Sequence, residues 1–267
     1  MFEDRMMYVE ERGSGPAVVL LHGTPSAPED FEPLVAMLAR DHRVLVPHLP
    51  GYGRTPPDSG PYSIDAVVAR LERSLADAGV VRADFVAFSG GAYKAVAVAL
   101  GGRVVVPRLV LFAPVVGFDP EVAQSYRDVA AAARSGAFDA RPSWLGRMAA
   151  PGFASRDPAG AARVMGWLDA VPLSVLCDEL VAAADAVDLR PRLGELACPV
   201  LVCAGTADNA VPIAWAEDVA RSCRHGVLER IEGAGHALLV EAPERMAHLT
   251  ADFLARPAVA ITREIRA

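Results

Sequence analysis

Residues 83–100 read ADFVAFSGGAYKAVAVAL: a short apolar run, a serine between small residues, and a longer apolar run. "ADFVAF" is short and unbroken, which predicts a buried strand, whereas "GGAYKAVAVAL" has the length and alanine content of a helix. Ser89 falls on the turn between them, with Ala87 at −2 and Gly91 at +2. A serine on a sharp strand-to-helix turn projects its hydroxyl above the sheet, provided that small residues flank it at those two positions. The spacing alone is weak, because Ser135 in "ARSGA" (133–137) matches it as well. Ser135 follows a helical stretch with no strand before it, so the context selects Ser89.

Outward from this turn, short apolar runs alternate with helical patterns, the signature of a mainly parallel sheet flanked by helices. "MYVEERGSGPAVVLLHG" (7–23) predicts two strands around a Gly-Ser-Gly turn. Phe31, Leu34, Val35 and Leu38 recur at i, i+3, i+4 and i+7, one face of a helix. "HRVLVPHL" (42–49) predicts a strand, and "PGYGRTPPDSGP" (50–61) a loop. Ser63 suits the N-cap of a helix carrying Val67, Val68, Leu71 and Leu75, which Gly79 stops. "RLVLFAPVV" (108–116), "CPVLVCAG" (198–205) and "GVLERIEG" (226–233) read as further strands, and a last helix runs from Pro243 to Ala255. Between about Asp119 and Leu196 the chain is rich in Ala, Arg and Asp and shows no convincing strand. Asp157-Pro158 there has the form of an N-cap followed by a proline at N1. The expected organisation is one α/β core, residues 1–118 and 197–267, interrupted by a helical cap at 119–196.

The 267 residues are 52% hydrophobic and 22% charged, which excludes a disordered chain. Thirty-three acidic against 26 basic residues give −7, which argues against a nucleic-acid partner. No apolar run reaches the eighteen or so residues that span a bilayer, and Met1–Gly15 lacks the apolar core of a signal peptide. The expectation is a soluble, cytoplasmic protein without a membrane partner. Four cysteines without a CxxC pair predict reduced, buried thiols. No close His/Cys/carboxylate cluster suggests a metal, and no GxGxxG or P-loop suggests a nucleotide, so no cofactor is expected. Oligomeric state is not legible.

A serine hydroxyl is a poor nucleophile until a base takes its proton, and the base needs an orienting carboxylate. His236 lies in "EGAGHALLVEAPE" (232–244), a glycine loop just after a late strand. Asp208 lies in "VLVCAGTADNAVP" (200–212), just past the carboxyl end of a buried strand, where the active-site loops of open sheets gather. A structural histidine and a helix-capping aspartate are the alternatives for either residue alone. The ordered set Ser89, Asp208, His236 is expected for nucleophile, acid and base on an α/β-hydrolase sheet.

With "VVLLHGTP" (18–25), "VPHLPGYGRT" (46–55), "GPYSI" (60–64) and "AFSGGAYKA" (87–95) added to these stretches, the chain resembles the α/β-hydrolase-fold family over nearly its whole length. The cap and the last third look most similar to 3-oxoadipate enol-lactonase-like and small carboxylesterase members, with "DLRPRLGELACPVLVCAGTADNAVP" (188–212) as the most similar piece. The resemblance implies Ser89 as nucleophile, Asp208 as acid and His236 as base, with the backbone N–H groups of Thr24 and Gly90 as the oxyanion hole. It implies hydrolysis of a carboxylic ester or lactone, the small-molecule partner being an apolar substrate of small to medium size. A meta-cleavage carbon–carbon bond hydrolase would carry the same three residues, and a thioesterase or acyltransferase would differ mainly in the incoming nucleophile. A non-catalytic ligand-binding protein on this fold is the other class. Epoxide hydrolases and haloalkane dehalogenases are disfavoured, because they use an Asp nucleophile.

The departures from the family carry expectations of their own. Ala87 replaces the first elbow glycine, and Gly90 is expected to widen the pocket beside Ser89. His48 stands in place of a structural Asp, and Tyr52 and Arg54 read as a solvated turn. Lys94, the only lysine, reads as a surface side chain, with a carboxylate anchor as the alternative. In the cap, Trp144, Met148, Trp167 and Leu176 are candidate substrate-lining residues, each of which could instead pack the cap's own core.

Overall fold

Successive side chains of a strand point to opposite faces, so a strand covered on both sides must be apolar throughout. Strand β2 (Ala17–Leu21) shows the consequence: Val18 and Leu20 enter one core, Val19 and Leu21 the other. The computed structural model describes residues 6–58, 60 and 62–256. Ser59 and Pro61 of the 50–61 loop, Pro61 of "GPYSI" and the first five residues of Met1–Gly15 lie outside the described residues.

Besides β2, the sheet contains β1 (Val9–Arg12), β3 (Arg43–Pro47), β4 (Asp84–Phe88), β5 (Leu109–Phe112), β6 (Val200–Gly205) and β7 (Gly226–Ile231). Their order is β1-β3-β2-β4-β5-β6-β7, with β1 antiparallel to β3 and every other pair parallel. The register pairs Leu21 with Ala87, Phe88 with Phe112, and Phe112 with Cys203. The carboxyl ends of four central strands therefore lie at one edge of the sheet.

Helices α1 (Glu32–Leu38), α2 (Ile64–Asp77) and α3 (Gly90–Gly101) follow β2, β3 and β4. Ser63 caps α2 by accepting from the Ala66 N–H, and Asp157 caps its helix by accepting from Gly160. Between β5 and β6 run α4 (Pro120–Arg134), α5 (Arg141–Met148), α6 (Phe153–Arg156), α7 (Pro158–Gly166) and α8 (Leu173–Asp185). The chain ends with α9 (Ile213–Ser222), α10 (Leu238–Glu241) and α11 (Pro243–Ala255). One core contains α1 and α11 residues such as Leu34, Leu38, Met246 and Phe253, and the other contains Leu71, Val96 and Val219 of α2, α3 and α9. The helical segment straddles the carboxyl edge: Trp144, Val164 and Trp167 join the first core, Val175 and Leu176 the second.

All four cysteines are buried and unpaired. Among the described residues no helix is long and apolar enough to cross a membrane. No group of three His, Cys, Asp or Glu residues among them is placed to hold a metal ion.

Candidate active site

Ser89 adopts φ 50° and ψ −120°, a region that costs a non-glycine residue about 1–3 kcal/mol. The strain is held on both sides: the Ser89 N–H donates to the Phe112 carbonyl, and the Ser89 carbonyl accepts from Ala92 N–H at the start of α3. Two glycines make the turn possible. A Cβ on Gly91 would lie 2.5 Å from the Leu21 carbonyl oxygen, and one on Gly23 would lie 2.9 Å from the Ser89 Cβ.

The Ser89 hydroxyl lies 3.0 Å from His236 Nε2, and His236 Nδ1 lies 2.8 Å from Asp208 Oδ2. The side chains are nearly dry, with Asp208 2% and His236 4% exposed. An ionised Asp208 accepts the Nδ1–H, which leaves Nε2 free to accept from the serine. Asp208 cannot swing away, because its Oδ1 accepts from the backbone N–H groups of Ala210 and Val211 at 2.8 Å each. The His236 loop is pinned from below and from the helical segment. Glu241 accepts from the N–H groups of Gly235 and Ala150, and Ala237 N–H donates to the Met148 carbonyl. Burial raises the Glu241 carboxyl above the ordinary carboxylate range, against the pull of those amides. The Phe88 ring lies 5.1 Å from the imidazole.

Thr24 and Gly90 face each other beside the serine. A Cβ on Gly90 would come within 3.0 Å of Thr24 Oγ1 and 3.8 Å of its amide nitrogen. The missing Gly90 side chain therefore leaves a space that the Thr24 hydroxyl borders. Gly90 is the first residue of α3, so its amide belongs to the free N–H groups at a helix N-terminus, which favour negative charge. The loop after β2, which carries Thr24, is held by His22, whose Nε2 accepts from Leu49 N–H at 3.1 Å. Nδ1 of the same ring lies 3.1 Å from the Gly23 carbonyl, so the neutral Nδ1–H form satisfies both bonds. Burial lowers the His22 pKa to about 4, which keeps the ring neutral.

Two expectations for the neighbouring side chains are corrected. Lys94 is not a surface lysine: it is 1% exposed, and its Nζ lies 3.0 Å from Glu179 Oε1. An otherwise apolar helix is a buried helix, and that pattern in "GGAYKAVAVAL" could have placed Lys94 inside. Tyr52 is not solvated either; it is fully buried and donates to Glu179 Oε2 at 2.7 Å. Tyr62 donates to Oε1 at 3.2 Å. Burial alone would raise the Glu179 carboxyl, but the Lys94 charge and the hydroxyls of Tyr52 and Thr24 hold it below its ordinary range. Arg54 is exposed over the Tyr8 ring, and His48 is buried, accepting from Arg54 N–H.

Sequence reasoning missed Glu179. Its signal was an acidic residue three positions after Leu176, on the face of α8 that carries the apolar side chains. Trp144, Met148, Trp167 and Leu176 are all buried. Trp167 packs 6.0 Å from the Phe88 ring, whereas Trp144 donates its Nε1–H to the Val164 carbonyl within the segment. Ser135 ends α4 at the surface, away from any strand.

A strained serine after β4, with an imidazole and a carboxylate brought to it by the loops after β7 and β6, defines a hydrolase fold. The alpha/beta hydrolase family pattern matches residues 18–249, and the chain belongs to that family. It is 32% identical over 246 residues to the polyketide synthase ThaQ of Burkholderia thailandensis, covering 85% of this chain and 11% of that one. The chain thus spans about a tenth of that relative's length. It is 28% identical over 270 residues to the pimeloyl-[acyl-carrier protein] methyl ester esterase of Xanthomonas campestris pv. campestris, covering 93% of this chain and 99% of the relative. The enol-lactonase from Burkholderia xenovorans LB400 superposes with a TM-score of 0.82 at 24% identity, covering 94% and 96% of the two chains.

Proposed function

We propose that the protein is a serine hydrolase that cleaves a carboxylic ester or lactone of a small to medium apolar substrate through an acyl-enzyme. The observation that carries this reading is the relay Ser89 Oγ–His236 Nε2 at 3.0 Å and His236 Nδ1–Asp208 Oδ2 at 2.8 Å, starting from a serine at φ 50°. Ser89 Oγ attacks the substrate carbonyl while His236 Nε2 takes its proton. Asp208 stabilises the imidazolium without being protonated. The N–H groups of Thr24 and Gly90 bind the oxygen that becomes negative in the tetrahedral intermediate, where such donors act most strongly. Collapse expels the alkoxide, which leaves as the alcohol with the His236 proton. Water, deprotonated by the same imidazole, then releases the acid and frees Ser89. In a lactone the alcohol stays tethered to the acyl group.

Residues 119–196 serve in this reading as a lid over a core formed by 1–118 and 197–267. Trp167, Met148 and Leu176 supply apolar lining, and Trp144 braces the lid. The Xanthomonas relative, named for a methyl ester of an acyl-carrier-linked chain, supports placing acyl methyl esters in the first substrate panel.

The test is Ser89→Ala together with a small fluorophosphonate. The wild-type protein is expected to take up one phosphonyl group on Ser89 and to turn over esters or lactones. The variant should fold with an unchanged far-UV spectrum and lose on the order of 10⁶-fold in kcat, as serine proteases do. Turnover within tenfold of wild type in Ser89→Ala removes Ser89 from the mechanism.

A further inference from the structure

We propose that Lys94 and Glu179 form a positioning pair that sets the two oxyanion residues, Thr24 and Gly90, so that the helical segment completes the oxyanion hole when it is seated on the core. The inference rests on the serine-hydrolase reading and concerns residues that touch no reacting atom.

Both side chains are 1% exposed, and each reaches across the boundary between the core and the helical segment: Lys94 from α3, Glu179 from α8. A single buried ion pair contributes little net stability, because desolvation offsets the attraction. Its contacts, however, converge on the oxyanion residues. Lys94 Nζ donates to the carbonyl of Gly90 at 3.3 Å as well as to Glu179. Glu179 accepts from Tyr52 and Tyr62 and interacts with the Thr24 hydroxyl. That hydroxyl lies 3.0 Å from where a Gly90 Cβ would be. The Tyr52 ring in turn rests 4.6 Å from His22, two residues before Thr24. Gly90 is therefore held through its carbonyl by Lys94, and the Thr24 loop through Tyr52 and His22 by Glu179, so both holds end on the same charge pair. At the other side of Ser89 the segment meets the His236 loop through the Ala150 N–H on Glu241 and the Met148 carbonyl on the Ala237 N–H. On the oxyanion side a segment carboxylate, Glu179, meets a core cation, Lys94, next to the chemistry.

A hole misplaced by a fraction of an ångström loses transition-state stabilisation and leaves ground-state binding nearly intact. The decisive protein is the double variant Lys94→Met/Glu179→Gln, which removes both charges together and keeps their approximate volumes. Its kcat for a p-nitrophenyl butyrate-type ester is expected to fall about 10- to 100-fold. KM should stay within threefold, and Ki for a matched trifluoromethyl ketone, whose serine adduct carries the oxyanion, should rise by the same factor as kcat falls. Thr24→Val, which cuts the hydroxyl link without touching the charges, should lose kcat in the same direction. Added to the double variant it should cost little more, because the two act through one linkage.

The proposal is overturned if the folded double variant keeps kcat and ketone Ki within twofold of wild type. It is also overturned if KM and ketone Ki rise together, which is uniform loss of binding. Should the double variant not fold, Thr24→Val decides: wild-type kcat and ketone affinity there remove the proposal. A wild-type protein inert to ester and phosphonate alike removes the serine-hydrolase reading and this one with it. An active wild type with unchanged variants removes this one alone.

Discussion

The carboxyl edge of the sheet and the helical segment between β5 and β6 hold their side chains by different means. At the edge, backbone fixes the groups: Ser89 by a strained turn, Asp208 by two amides of its own loop, and the His236 loop by a close approach that requires Gly205. A Cβ on Gly205 would lie 2.3 Å from the carbonyl oxygens of Ala234 and Gly235. The segment relies instead on arginine–carboxylate pairs. Arg127–Asp185 and Arg134–Asp178 join α4 to α8, and Arg163–Asp30 ties α7 to the core. The first two pairs are largely solvent-exposed, where an ion pair contributes little. Backbone contacts thus dominate the placement at the sheet edge, and side-chain charge pairs the attachment of the segment.

The largest effect that bears on this contrast is at Asp208. Asp208→Asn should keep the fold, because the amide oxygen can still accept from Ala210 and Val211. It should cost about 10⁴ in kcat, as the same change does in the serine-protease template, by favouring the wrong histidine tautomer. Steady-state kinetics on one ester checks it. A loss under tenfold would mean that the edge does not orient His236 through Asp208.

Acid stability gives the next largest effect, and it too should arise at the sheet edge. In the folded protein His22 has a pKa of about 4, against the 6.5 of an exposed histidine. Between those values the unfolded chain binds more protons than the folded one, so stability is lost as pH falls from about 6.5 to about 4. The size is about 3 kcal/mol. His48, lowered by its own burial, slopes the same way. Asp30 and Glu241, which burial raises, slope the other way. Glu179 and the arginine-held segment carboxylates Asp188 and Glu195 are lowered and lose their contributions only below the ordinary carboxylate range. Urea midpoints at pH 7 and pH 4.5 should therefore converge in His22→Gln relative to wild type. Equal acid loss in both proteins would place the sensitivity elsewhere.

The same contrast explains what could be read from the residues. The strands, the helix from Pro243 to Ala255 and the serine turn were legible because each depends on local pattern: apolar runs, caps, and the small residues that a tight turn demands. His236 and Asp208 were legible through loops whose glycines permit close approach. Lys94, Tyr52 and Glu179 were not, because their meaning lies in contacts 85 and 127 residues apart along the chain. A buried charge and a surface charge have the same local signature until the partner is known.

The smallest expected effect falls on the segment itself, and there three of the four candidate lining residues should separate. Trp167 touches Phe88, which in turn lies against His236, so its ring is two contacts from the imidazole. Leu176 belongs to the cluster that contains Tyr52, on the face of α8 that also carries Glu179. Trp144 is committed to the segment by its bond to the Val164 carbonyl. A hydrophobic pocket distinguishes acyl chains by about 10- to 200-fold per methylene at most. Trp167→Leu and Leu176→Ala should therefore shift the ratio of kcat/KM between a short and a longer acyl ester by about tenfold. Ser89 should remain fully reactive to the small phosphonate in both. Trp144→Phe should leave that ratio unchanged while lowering stability by about 1 kcal/mol, the worth of one buried hydrogen bond. If all three variants kept the parental ratio, the segment would cover the site without selecting what enters it. A shift in Trp144→Phe as large as in Trp167→Leu would show that the segment responds as one body, and that no single side chain in it sets the fit.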